Sequence, residues 1–192
     1  MLPPTPRNAG PDHAGALILL VFAGGSVLDA ILRTTSRYSP AAGFLPQLLL
    51  AAVPLFIALG AWASLRNRRD LSGHLLLQLL LAIAIGILTM RSPLPLSWYL
   101  GIGLVLWAMR LGVNLLTWVG TGLLVLVAGA QLGLISYTGV LFLPFVATPA
   151  LFLGAAAYVQ WHQVRHRQQE ADPAADLASE LHRKRYGREP GL

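Results

Sequence analysis

The dominant pattern along this chain is a series of long apolar stretches separated by short polar punctuation. The clearest reads Gly43-Phe44-Leu45-Pro46-Gln47, then a nearly unbroken apolar run to Leu65, then Arg66-Asn67-Arg68-Arg69. A run of about twenty uncharged residues crosses a hydrocarbon core ~30 Å thick as a helix. Clustered arginines at its end assign that end to the cytoplasm, so the segment enters from outside and exits inside. The other spans take their direction from it.

Reading outward from this segment, residues 1–13 form a Pro-rich lead expected to be disordered, and a first span covers 14–32. A polar connection follows, Arg33-Thr34-Thr35-Ser36-Arg37-Tyr38-Ser39-Pro40, up to the Gly43 turn. The second span is 44–65, with Pro46 in its first turn, where the missing N–H costs little, and Pro54 mid-span, where a kink is expected. A third span runs from Gly73-His74 to Met90-Arg91 and meets a tight turn at Ser92-Pro93-Leu94-Pro95.

The apolar tract from Ser97 to Ser136 is too long for one crossing. Arg110 and Asn114 fall near its middle and divide it into a fourth span, 97–112, and a fifth, 115–135. If the tract crosses only once, the count drops to five and the C-terminus moves outside. A sixth span, 139–161, contains Pro144 and Pro149, so a bend or a start after Pro144 is expected. The transmembrane region is thus 14–161, and residues 162–192 form a basic cytoplasmic tail with a weak amphipathic pattern from Ala174 to Arg185. The expected fold is an all-α, polytopic helical bundle.

Composition strengthens this picture. The chain has 192 residues, 55% hydrophobic and 11% charged, against roughly 25% charged in soluble domains. From Leu71 to Trp161 the only formal charges are Arg91 and Arg110. With both termini inside, eleven of the fourteen Lys and Arg residues are cytoplasmic, and only Arg33, Arg37 and Arg91 are outside. The pI near 10.5 is therefore explained by arginines flanking spans, not by a nucleic-acid partner. Cysteine is absent, which removes disulfides, thiolate chemistry and thiolate metal sites. No small-x-small cleavage site follows the first apolar run, which reads as a retained span.

Candidate chemistry inside the spans is sparse. Asp29 and Arg33 lie four apart on one helical face, either as a coupling-ion or gating pair or as an interfacial pair with Arg33 reaching to the head groups. Gln78, Asn114 and Gln131 are the uncharged polar side chains placed to hydrogen-bond between helices, and Arg110 marks a cytoplasmic helix end. His162 and His166, four apart, lack a third ligand nearby in sequence and read as part of a solvated basic face. Gly129 with Gly133, and Ala150 with Gly154, are small-residue pairs suited to close helix packing. Phosphate-loop, dinucleotide and metalloprotease motifs are missing, as is the nucleophile elbow. The expectation is a non-enzyme with no catalytic residues, no cofactor and no metal site.

The first seventy residues resemble the small membrane subunit of the tripartite tricarboxylate transporters, the TctB type. Asp12 and Gly15 precede Ala16-Leu17-Ile18-Leu19-Leu20, as an acidic residue and a glycine precede a Leu-rich span in that family. Pro40-Ala41-Ala42-Gly43-Phe44-Leu45-Pro46 is similar to the family's Gly-Pro-Gly-Phe-Phe-Pro turn, and Gly139-Val140-Leu141-Phe142-Leu143-Pro144 loosely resembles the Gly-Val-Pro-Leu-Pro near that family's C-terminus. Ala41-Ala42, Leu45 and Gln47 depart from the pattern, and the chain continues past Pro144, where members of the family stop.

The resemblance implies a small accessory membrane subunit in the bacterial inner membrane. Its partners would be a large transporter membrane subunit and a periplasmic solute-binding protein for a carboxylate. Gly43, Phe44 and Pro46 are the expected partner-docking corner. The competing expectation is a stand-alone membrane sensor or scaffold that anchors its basic tail.

Overall fold

The computed structural model describes residues 11–38, 44–65, 72–91, 95–134 and 141–186, with side chains placed for 13–37, 44–65, 73–91, 95–134 and 141–166. All regular structure among the described residues is helical: α1 (Pro11–Tyr38), α2 (Leu45–Leu65), α3 (Ser72–Arg91), α4 (Ser97–Leu111), α5 (Asn114–Gln131) and α6 (Phe142–Tyr186). Five of the six are long and apolar enough to cross a membrane. The chain is an all-α, multi-pass membrane bundle.

Successive helices run antiparallel. His13 at the start of α1 meets Trp161 near the end of the apolar part of α6, with ring centroids 6.3 Å apart. Arg37 at the other end of α1 lies 4.2 Å over the ring of Phe142, at the start of α6. His74 at the start of α3 packs edge-on against Trp107 at the end of α4, at 4.4 Å. The bundle therefore has a Trp161 end, holding the starts of α1, α3 and α5, and an Arg33 end, holding the starts of α2, α4 and α6.

Helix α1 is the hub, packing most extensively on α6 and α2 and also touching α4. Its buried stripe is Ala14, Ile18, Phe22, Ser26 and Asp29, the spacing of one helical face. Helix α4 is the most enclosed, with Tyr99, Leu100, Leu104 and Trp107 essentially inaccessible. At 15 residues it is the short member, only about 22 Å long. Neighbours on several sides shield it from lipid, so it need not match the hydrocarbon thickness by itself.

Between helices in lipid the apolar surroundings are no worse than a Leu side chain, so association rests on close packing and hydrogen bonds. Glycines supply the close approaches. A Cβ on Gly86 would sit 2.6 Å from the Ala51 carbonyl oxygen, where α3 meets α2. One on Gly25 would collide with the Ile57 side chain, where α1 meets α2. Gly101 and Gly120 face one another across α4 and α5, each Cβ position about 3 Å from the other's carbonyl oxygen. The small-residue pairs read from sequence do not play this role. Gly133 lies beyond α5 with φ of 75°, and a Cβ on Gly154 would meet nothing within 4 Å.

Several boundaries differ from the sequence reading: α1 begins at Pro11, inside the lead expected to be disordered, and α5 ends at Gln131 and not at 135. Helix α1 does not stop at Leu32 but runs to Tyr38, because its polar end bonds back onto itself. Thr34, Thr35 and Ser36 donate to the carbonyls of Ala30, Ile31 and Leu32 at 2.7, 2.8 and 2.7 Å. Helix α6 starts at Phe142, before Pro144, since proline is tolerated in a first turn whose N–H groups have no intrahelical partner. It also continues without a break to Tyr186, as one helix of 45 residues. Most residues after Trp161 are good helix formers, with Gln, Arg, Glu and Ala prominent.

The division of the long apolar tract falls where expected. Gly112 takes a left-handed conformation, φ 67°, and its N–H donates to the Ala108 carbonyl at 2.8 Å. This closes α4 as an αL cap before Val113 turns the chain into α5.

Candidate functional site

The stripe that buries Phe22 carries a carboxylate into the bundle one and two turns later. Ser26 Oγ donates to the Phe22 carbonyl at 2.9 Å. Asp29 follows on the same face and is only 7% exposed. Arg33, one turn on, donates through Nε to Asp29 Oδ2 at 2.9 Å. The second carboxylate oxygen, Oδ1, is buried with no hydrogen-bond partner among the described residues.

Asp29 and Arg33 line a partly open cavity of about 90 Å³, completed by Pro95, Leu96 and Ser97 of α4 and by Phe142, Phe145, Val146 and Pro149 of α6. Three helices thus meet around one ion pair. The polar edge consists of Asp29, Arg33 and Ser97, and the remaining wall is apolar. Arg37, one further turn along α1, is drawn onto Phe142 at the rim. A carboxylate with one oxygen neutralised and the other without a partner among the described residues keeps a demand for a hydrogen-bond donor.

A second polar cluster lies toward the Trp161 end. Gln78 of α3 is 1% exposed, and its Nε2 donates to the Gly103 carbonyl of α4 at 3.0 Å. The same nitrogen lies 3.4 Å from His74 Nε2. Gln78 Oε1, Trp107 Nε1 and the Tyr99 hydroxyl are buried with no partner among the described residues. Phe22, beside Gly103 and Gln78, stacks on Tyr99 with centroids 5.8 Å apart, and both rings are fully buried.

The other sequence candidates are dispersed. Arg110 is exposed in the last turn of α4, and Asn114 and Gln131 are exposed as the first and last residues of α5. Asn114 and Gln131 are therefore the first and last residues of their span. Phe44 is 66% exposed at the start of α2, with Pro46 half-buried in the first turn, while Gly43 lies outside the described residues. His162 and His166 stand with ring centroids 4.4 Å apart on an exposed face of α6. No group of three or more His, Asp or Glu suited to a metal occurs among the described residues.

Sequence reasoning missed Ser97, Phe142, Phe145 and Pro149 as neighbours of Asp29. The only signal for them was their position at the starts of α4 and α6, the two helices that begin at the Arg33 end. It also passed over Tyr99 and Trp107, which look like ordinary apolar-span residues until their polar atoms are found buried.

The bundle also displays an interfacial belt. Trp62, Trp118 and Trp161, with Tyr158, are 50–76% exposed, and all four lie within two turns of the Trp161 end of their apolar segments. Aromatics of this type settle at the head-group level. Arg110 and Arg165 are at the same end, and Arg33, Arg37 and Arg91 at the other.

Compared with known proteins, the chain matches no family model, no curated protein and no solved structure.

Proposed function

We propose that this chain is a small, non-catalytic accessory subunit of a binding-protein-dependent carboxylate transporter in the bacterial inner membrane. It has both termini in the cytoplasm and packs against a larger membrane subunit that carries the solute path. The observation that carries this reading is the separation of the buried polar groups. The Asp29–Arg33 pair and the Gln78–Gly103 bond lie at different levels of the bundle, with the buried rings of Phe22 and Tyr99 packed between α1 and α4, which suits a packed scaffold better than a path of its own. The positive-inside bias supports the orientation. The resemblance of the first seventy residues supports the assignment, and the exposed Phe44 corner offers the docking point.

The test is co-purification of the tagged chain with the product of any adjacent large permease gene, alongside carboxylate uptake in cells. Phe44→Ser should reduce complex yield and uptake while insertion of the chain is kept. Full yield and uptake from a stably inserted variant would overturn the docking role.

One observation favours a second reading, a stand-alone sensor or scaffold. Helix α6 continues unbroken from the bundle to Tyr186, a direct mechanical link between the membrane region and the basic tail. Under that reading the chain purifies without a permease, and uptake is unchanged by its deletion.

A further inference from the structure

We propose that the Asp29 cavity is a head-group site for a phospholipid carrying a primary ammonium, such as phosphatidylethanolamine. The site's depth is the first argument. Twenty helical residues separate His13 from Arg33, about 30 Å at 1.5 Å per residue, the thickness of a hydrocarbon core. His13 packs on Trp161 of the aromatic belt, so Arg33 falls at the opposite boundary of the hydrocarbon. Asp29 then lies one turn inside that boundary and Arg37 one turn outside it, among the phosphates.

Chemistry is the second argument. Asp29 Oδ1 is a buried acceptor without a partner among the described residues, and it belongs to a residue that lines the cavity. The charge of the carboxylate is already balanced by Arg33 at 2.9 Å. The site therefore asks for an N–H donor, whereas a bare metal cation would add uncompensated charge beside Phe142, Phe145 and two prolines. A ligand that brings its own anion keeps the site neutral. Arg37 stands at phosphate level, one turn beyond Arg33, where guanidinium groups recognise phosphate oxygens.

Size and walls agree with this occupant. The cavity of about 90 Å³ has room for several waters and so for an aminoethyl head group. The walls supplied by Phe145, Val146 and Pro149 are apolar. The flanking ends of α1 and α6 expose Leu28, Ile31 and Leu143, a surface for the acyl chains. The proposal concerns this chain alone and does not depend on the transporter reading.

The test is native mass spectrometry of the full chain, delipidated in detergent and offered lipids with identical acyl chains. Phosphatidylethanolamine should be retained over phosphatidylcholine and phosphatidylglycerol by about tenfold or more, the change that one hydrogen bond to a charged group makes. Stepwise N-methylation should erode retention and abolish the preference at the trimethyl stage, a result that needs no variant. Asp29→Asn should lower ethanolamine-lipid retention to the choline-lipid level, with Gly154→Ala as a neutral control. Equal retention of the ethanolamine and choline lipids would overturn the proposal. So would preferential retention of phosphatidylglycerol, which would make the site a plain anion site. Free phosphoethanolamine should fail to displace the bound lipid at millimolar concentration, and displacement would assign the site to a soluble amine instead.

Discussion

Gln78 Nε2 donates to the Gly103 carbonyl oxygen at 3.0 Å, a buried hydrogen bond that joins α3 to α4. Glycine at position 103 is what permits it, because a Cβ there would lie 3.2 Å from Gln78 Oε1 and from the Phe22 ring. The bond carries modest energy. Interhelical hydrogen bonds in membranes average about 0.6 kcal/mol and reach about 1.7. Gln78→Leu, which keeps the volume and removes the polar atoms, should therefore destabilise the chain by about 1 kcal/mol in a detergent unfolding titration. A loss of 3 kcal/mol or more would show that Gln78 organises a larger network.

The approach of α4 to α5 should be far less forgiving. Gly101→Leu has to displace Leu124 and the Gly120 backbone, and overpacking of this kind costs about 1–3 kcal/mol or more. Gly154→Ala, at a position where a Cβ meets nothing within 4 Å, should cost nothing and gain up to about 1 kcal/mol of helix propensity. The pair of variants, compared by thermal unfolding of detergent-solubilised protein, separates packing from helix propensity. Equal tolerance at both positions would contradict the close approach at Gly101.

The αL cap of α4 makes a smaller, separate prediction. Gly112→Ala places a Cβ in a left-handed conformation, φ 67°, at a cost of about 1–2 kcal/mol. No side chain lies within 4 Å of that Cβ, so the cost is conformational only. Asn, which enters this region more readily, should recover part of the loss.

Orientation can be read chemically because the chain has no cysteine of its own. Gln131→Cys and Asn114→Cys introduce thiols at exposed positions on opposite ends of α5. With both termini cytoplasmic, an impermeant maleimide added to intact cells labels position 131 and spares position 114 until the cells are opened. The reverse pattern inverts the topology.

The far part of α6 should be separable from the bundle. Val164 is the last buried residue of α6 among those with described side chains, followed by exposed Arg165 and His166. Truncation after Gln168 is expected to leave detergent stability within about 0.5 kcal/mol. A larger loss, measured in the same unfolding titration, would reveal packing of the removed segment on the bundle or on a second chain.

The all-α membrane class, the break near Arg110, the start and end of α3 and the segregation of arginines to the two ends all follow from the sequence alone. The reason is that hydrocarbon admits only backbone satisfied within the segment itself, so a charge-free run of sufficient length has one outcome. Arginine placement is equally local, since Arg33, Arg37, Arg91, Arg110 and Arg165 each lie within about a turn of the end of an apolar helix.

What the sequence left open is which residues face one another. In α2 and α3 nearly every side is apolar, so the periodicity that marks a buried face in a soluble helix is largely erased. Gln78, Asn114 and Gln131 look alike as isolated polar residues in apolar runs, yet Gln78 is buried against Gly103 and the other two are exposed helix-end residues. Helix α4 looks like an ordinary, rather short span, and only packing makes it the enclosed one. The ion pair of Asp29 with Arg33 was readable from a spacing of four, whereas the cavity beside it required the starts of α4 and α6 to converge on the end of α1. Those contacts join residues about 65 to 120 positions apart, and they are decided by shape complementarity between helices, a property that no stretch of sequence carries locally.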